Sequence, residues 1–251
     1  MFYQPIVDMR SGTILSCEAL VRWQHPDRGL LMPDQFLSVA EEAGTLVALD
    51  WWVLEQTCKN LLRWQRRYPA HARLRASVNV DDRQFGDPNL IENVRAIVRR
   101  TGISPDHLAL EITETVFRRG RVEAEATLHG LKQVGVSLVV DDFGTGYSSL
   151  DSFATSPFDT LKIDRGFVRD MVTNPRHGAI VHTIAGFAEL LHLELIAEGV
   201  ENRAQADMLF DVGCERGQGL LFAGAVPQED FEHMLEQGVP LGATPRKNAV
   251  A

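Results

Sequence analysis

The feature that most constrains this chain is an alternation: short runs of Val, Ile and Leu recur between longer stretches that place apolar residues every three or four positions. Apolar runs without polar alternation fit strands buried on both faces, which means parallel strands covered by helices. Two segments, at 2–7 and 14–20, open the chain and are joined by Asp8-Met9-Arg10-Ser11-Gly12-Thr13, a hairpin-like connection with Gly at the turn, so the chain begins antiparallel. Beyond them the pattern predicts helices at about 34–43 and 46–67, a strand at about 74–80, a helix at about 88–100, a strand at about 107–113, a helix at about 121–134 and a strand at about 136–141. A strand at about 158–164, a helix at about 176–191, a strand at about 193–198, a helix at about 202–211 and a short strand near 214–218 follow. The helix at 176–191 carries Ile180, Ile184, Phe187 and Leu191 as its expected buried stripe. About eight strands in this order predict an α/β fold, a TIM-like (β/α)8 barrel with the first strand antiparallel. The barrel is expected to occupy 1–240 as one domain, and 241–251, which has no apolar pattern, to be a disordered tail.

Charge and cysteine usage exclude several functions. The formal net charge of −9 repels polymeric nucleic acid, so a phosphate-bearing ligand needs local cations or metal. Cys17, Cys58 and Cys214 are widely spaced and odd in number, against a disulfide framework or zinc cluster and in favour of a reducing, cytoplasmic compartment. No apolar run approaches a membrane span and the first residues lack signal-peptide grammar, so a soluble chain without membrane contact is expected. The chain starts almost inside a strand-like segment, which suggests an excised domain or a missing upstream helix.

The polar residues stranded at the ends of the apolar runs carry the chemistry. Asp141-Asp142 follows Val136-Ser137-Leu138-Val139-Val140 and precedes Gly144-Thr145-Gly146-Tyr147-Ser148-Ser149. Adjacent carboxylates repel unless a cation sits between them, although Asp142 reads equally as a turn or helix cap. Glu18, Asn79, Glu111, Lys162, Asp164 and Glu198 occupy comparable places, and a barrel brings all of them to its C-terminal face. Taken singly, Glu18 and Glu111 also fit solvent-facing strand positions, Glu198 a turn, and Lys162 an exposed strand lysine. Oxygen donors without Cys or His select Mg2+ or Mn2+ over zinc, and a bridging Asp141 suits two ions acting on a phosphodiester. Lys162 and Asp164, two apart on one strand, are expected to project to the same side.

Glu18-Ala19-Leu20-Val21-Arg22-Trp23, Tyr3-Gln4-Pro5, Ser77-Val78-Asn79-Val80, Leu110-Glu111-Ile112-Thr113-Glu114, Asp141-Asp142-Phe143-Gly144-Thr145-Gly146, Leu161-Lys162-Ile163-Asp164, Ala197-Glu198-Gly199-Val200-Glu201 and Gln218-Gly219 together resemble the EAL-domain family of cyclic di-GMP phosphodiesterases. The resemblance spans roughly residues 2–235 and implies hydrolysis of cyclic di-GMP to linear 5′-pGpG. It implies that Glu18, Asn79, Glu111 and Asp141 bind one metal, and that Asp141, Asp142 and Glu198 serve the other. Lys162 matches the residue that positions or activates the attacking water, with Asp164 and Glu198 beside it. Gln4, Leu20, Arg22 and Gln218 match substrate-contacting positions. Glu114 and Glu201 match acids that support the loop at 143–150, which in the family couples metal binding to dimer contacts. A homodimer and an upstream sensory or GGDEF-type domain are further implied partners.

Leu220 and Gly224-Ala225 depart from the family's aromatic and basic-Pro positions, and Asp81 replaces a small hydroxyl residue, adding expected negative charge near the metals. The alternative function is a non-catalytic cyclic di-GMP receptor with an EAL-like fold that signals through a partner domain.

Overall fold

A computed structural model of the chain describes residues 1–144, 153 and 155–239. The expected loop at 143–150 lies outside the described residues from Thr145 onward, as does the expected tail at 241–251. Strands β1 (Phe2–Asp8) and β2 (Ile14–Leu20) form the predicted antiparallel hairpin. Its turn is held by Asp8, whose Oδ1 accepts from the backbone N–H groups of Arg10 and Ser11 and from the Ser11 hydroxyl. A side excursion, β3 (Trp23–His25) and β4 (Gly29–Leu31), then precedes the barrel strands β5 (Arg75–Val80), β6 (Leu108–Thr113), β7 (Ser137–Phe143), β8 (Thr160–Ile163), β9 (Glu194–Ala197) and β10 (Arg216–Gly217). From β2 to β10 the neighbours are parallel, and β10 pairs antiparallel with β1, so that among the described residues eight strands close a barrel in which the first runs opposite to the other seven. The fold expectation holds.

The registers transmit one face around the barrel. Side chains opposite each other in a ladder share a face, and so do residues two apart on a strand. Gln4 pairs with Glu18, Glu18 with Ser77, Asn79 with Glu111, Thr113 with Asp141, Val139 with Thr160 and Lys162 with Ile196. Stepping by two along each strand puts Gln4, Glu18, Asn79, Glu111, Asp141 and Lys162 on one interior surface. The opposite face, including Val78, Leu110, Leu138, Val140 and Leu161, is buried beneath the helices.

Because β1 and β2 are joined by a hairpin, no crossover helix covers the outside of β1. A helix missing from the sequence expectations, Gln228–Gln237, covers it after the short strand β11 (Val226–Pro227) pairs with Phe2 and Tyr3. Phe231 enters an aromatic cluster with Tyr3 and Trp64, the last two in an edge-on pair at 4.7 Å. Asn60 donates to the Tyr3 hydroxyl at 2.8 Å and Trp64 Nε1 donates to Glu232 at 3.0 Å, so the polar tips of these buried rings are satisfied.

The helix Pro175–Leu190 buries Val181, Ile184, Ala185 and Ala188, while Ile180 is 36% exposed. Ile184 is in the core and Phe187 and Leu191 pack against it as expected, so only Ile180 of the expected stripe faces outward, and Ala185 and Ala188 share the buried face.

Phe231→Ala should lower stability by about 3–5 kcal/mol, the usual cost of deleting a buried aromatic. Urea unfolding of the two proteins measures it, and a loss far below this range would mean that the C-terminal helix does not seal the barrel.

Candidate functional site: carboxylates around a buried lysine

At the C-terminal mouth of the barrel, Lys162 is fully buried. Its Nζ lies 2.8 Å from Glu111 Oε2, 2.5 Å from Glu198 Oε1, 3.3 Å from Asp141 Oδ1 and 3.4 Å from Glu18 Oε2. These acids come from four different strand ends, which the parallel ladders place side by side. Asn79 donates to Glu18 Oε1 at 2.8 Å, and Gln218 Nε2 bridges Glu18 Oε2 at 2.8 Å and Glu198 Oε1 at 3.0 Å. The solvent-facing alternatives for Glu18, Glu111 and Lys162 are thereby excluded.

Gln218 owes its position to Gly219. A Cβ on Gly219 would lie 2.2 Å from the Val200 carbonyl oxygen, so only glycine lets the chain run this close to Val200. The backbone N–H of Val200 donates to the Gln218 carbonyl at 3.0 Å and fixes the approach.

Asp141 and Asp142 reach the same side because the strand is bulged. Val140 pairs with Leu161 and Phe143 with Ile163, so two aspartates stand opposite the single residue Lys162. Asp142 has φ 54°, a left-handed conformation that Asp tolerates better than most residues. In a regular strand adjacent side chains would face opposite ways; here Asp141, Asp142 and Glu198 each offer an oxygen within 4.8 Å of the others. Asp142 is thus part of the carboxylate group, and the capping role falls to Asp164, whose Oδ1 accepts from Gly166 N–H at 2.9 Å. Asp164, the residue after β8, keeps an extended backbone (φ −56°, ψ 138°) and, like Lys162, acts on the Asp142 carboxyl.

Burial and crowding set the proton affinities. Desolvation, reinforced by Glu18 and Asp141, holds the Glu111 carboxyl well above the usual range despite Lys162. Desolvation also dominates at Glu198, pushed up to about 7, and at Asp142, pushed up to about 6 with Asp141 and Asp164 adding to it. At Glu18 burial acts upward, yet Lys162, Gln218 and Asn79 outweigh it and leave the carboxyl below its ordinary value. Burial opposes the charge on Lys162, but Glu111, Glu18, Glu198 and Asp141 raise its pKa well above that of a free lysine. Five carboxylates against one ammonium leave four negative charges when all are ionised, and desolvated like charges of this number need further cations. The donors suit hard divalent ions: all are oxygens, and among the described residues the buried Asp141 Oδ1 accepts no hydrogen bond.

The remaining expected residues surround this group unevenly. Gln4 lies opposite Glu18 and donates to the Ala223 carbonyl at 3.2 Å. Leu20 ends β2 on the same rim. Arg22 donates to the Val21 carbonyl, lies over the Phe2 ring, and has a buried Nε without a hydrogen-bond partner among the described residues. Glu114 is buried and accepts from Gly144 N–H at 2.6 Å, directly behind the aspartate pair. Glu201 is exposed, and its backbone N–H donates to Gln205. Asp81 does not add charge to the cluster: it caps the helix Asp82–Phe85 through Gln84 N–H and is paired with Arg83. Thr113 escaped the sequence reading, although its position two residues beyond Glu111 on β6 gives it the same inward face.

Comparisons with known proteins agree with this geometry. A family profile described as the EAL domain matches residues 1–225. Uncharacterised protein Rv1354c of Mycobacterium tuberculosis is 44% identical over 94% of the chain and 38% of its own length. The cyclic di-GMP phosphodiesterase NbdA of Pseudomonas aeruginosa is 39% identical over 94% of the chain and 30% of its own length. The chain thus spans about a third of the length of the curated relatives it matches. A solved structure of the PaMucR phosphodiesterase in complex with c-di-GMP superimposes with a TM-score of 0.87 at 38% identity, covering 92% of each chain. Agreement of this extent in both sequence and barrel geometry shows that the chain belongs to the EAL-domain family of cyclic di-GMP phosphodiesterases.

Proposed function

We propose that this chain hydrolyses cyclic di-GMP to linear 5′-pGpG with two Mg2+ or Mn2+ ions. The observation that carries the reading is the carboxylate excess around Lys162: four net negative charges at full ionisation equal the charge of two divalent cations. Glu18, Asn79, Glu111 and Asp141 would hold one ion and Asp141, Asp142 and Glu198 the other. When bound, the ions acidify water and neutralise the scissile phosphate.

The protein's own groups divide the remaining work. Lys162 keeps its proton at neutral pH and therefore serves as a donor, orienting the attacking water and offsetting phosphate charge, and not as a base. Glu198, buried beside Lys162, would take the water's proton. The water oxygen then bonds to phosphorus as the bond to the leaving ribose 3′ oxygen breaks, and that oxygen takes up a proton from solvent. Asp164, close to Asp142, would help set the charge on that carboxyl. Arg22, with its unpartnered Nε, together with Gln4, Leu20 and Gln218, would contact the dinucleotide; Gln218 must then release Glu18 and Glu198. Glu114 and Glu201 would support the loop behind Asp142.

The same reading includes a homodimer, an upstream sensory or GGDEF-type domain and a cytoplasmic location. Its support is the bifunctional diguanylate cyclase/cyclic di-GMP phosphodiesterase name of MucR, of which the chain covers 33%, together with three buried, unpaired cysteines. No described helix is long and apolar enough to cross a membrane.

Chromatography of cyclic di-GMP incubated with the folded protein should show 5′-pGpG with Mg2+ or Mn2+ and none with chelator. Binding without product under every metal condition would instead support the receptor function. Lys162→Ala and Glu18→Ala should each reduce turnover by at least ~100-fold, as loss of a charge-stabilising group in a buried site commonly does.

The pH dependence of stability has a defined sign. Glu198 and Asp142 have folded pKa values near 7 and 6, above their ordinary ones, so the folded state binds more protons than the unfolded chain between about pH 4.5 and 7. The stabilisation they provide is complete below that window and is lost as pH rises through it. In chelator, Tm of the wild type should therefore fall more steeply from pH 5 to 8 than that of Glu198→Gln, by the equivalent of roughly 2 kcal/mol. Calorimetric scans at several pH values read this difference, and parallel curves for the two proteins would contradict it.

A further inference from the structure

We propose that Asp82 is a positioning residue for the Asp141–Asp142 carboxylates, acting through Thr115 and Thr113 and so through Glu114; the proposal rests on the metal-dependent reading above. Thr115 Oγ1 donates to Asp82 Oδ1 at 2.6 Å, and the Thr113 and Thr115 hydroxyl oxygens are 2.6 Å apart. A hydroxyl has one proton. With the Thr115 proton committed to Asp82, the bond between the threonines runs from Thr113 to Thr115. The chain of bonds therefore has one polarity, set by the carboxylate at its end.

This polarity has two consequences at the barrel mouth. Thr113 lies opposite Asp141 in the ladder and shares the inward face of Glu111. Having given its proton away, its oxygen offers only lone pairs to that space. Second, the two tethered hydroxyls flank Glu114, the first residue of the 3-10 turn Glu114–Arg119. Pinning the backbone on both sides fixes the aim of the Glu114 carboxylate, which receives the Gly144 N–H at 2.6 Å. Gly144 stands two residues beyond Asp142, whose left-handed backbone depends on how the strand exit is held. Asp82 itself opens the four-residue helix that follows β5, the strand of Asn79. The strut thus ties together the ends of β5, β6 and β7, which present Asn79, Glu111 and the aspartate pair.

The test compares Asp82→Ala and Thr115→Val, which break the strut, with Asp82→Asn and Thr115→Ser, which keep an acceptor and a hydroxyl in place. Amide hydrogen exchange at Gly144 is read in chelator, and Mn2+ affinity by calorimetry. The Ala and Val variants should accelerate Gly144 exchange by about tenfold, the effect of one lost hydrogen bond. They should weaken Mn2+ binding by about 10–100-fold, as the loss of groups that orient metal ligands does. The Asn and Ser variants should stay near wild type, which separates positioning from general destabilisation. Unchanged Gly144 exchange in the Ala and Val variants overturns the proposal. So does wild-type Mn2+ affinity in those variants, or failure of Asn and Ser to preserve both properties. A wild-type protein that binds no Mn2+ contradicts the two-cation function instead, and Gly144 exchange then decides the role of Asp82 alone.

Discussion

The ammonium of Lys162 lies where four carboxylates from four strand ends converge, and most of the architecture around the barrel mouth follows from keeping it there. At an effective dielectric of about 20, each close ion pair contributes several kcal/mol of attraction, against several kcal/mol of desolvation per buried ion. The balance tolerates the cluster only if the remaining lone pairs are occupied. Asn79 and Gln218 occupy some of them, and both are held by backbone features with no chemistry of their own: the β5–β6 register and the close approach of Gly219 to Val200. The carboxylates left over are the reason a divalent cation fits the site.

The bulge in β7 is the second requirement. A regular strand would send Asp142 into the helical layer, where an unpaired carboxylate is costly. The extra residue opposite Lys162 and the left-handed φ of Asp142 turn both acids toward the mouth, at a strain of order 1 kcal/mol. Glu114, accepting from Gly144 N–H, holds the distorted exit. The site is thus an irregular strand end supported by its neighbours.

Much of this was legible in the chain itself. Period and order of the apolar runs were enough for the barrel, since parallel strands must be covered on both faces, and the hairpin at Asp8–Thr13 was enough for the reversed first strand. Glu18, Glu111 and Lys162 were recognisable as polar residues within apolar runs. What escaped detection was of two physical kinds. Three-residue strands such as Trp23–His25 carry too little periodicity, whereas the helix Gln228–Gln237 has Phe231, Met234 and Leu235 at the three-and-four spacing of a helix and was legible. The bulge that turns Asp142 depends on the β7–β8 register, which no local pattern encodes, whereas the Asp164 cap on Gly166 N–H and the Arg83 pairing of Asp81 are contacts between residues two apart.

The central claim is that the carboxylate excess at the barrel mouth is matched by two divalent cations sharing Asp141. Counting Mn2+ bound per folded chain, by calorimetry or electron paramagnetic resonance, tests it most directly. The account predicts two ions in the wild type and loss of both sites in Asp141→Asn. No binding by the wild type, or the same stoichiometry in Asp141→Asn, would contradict it.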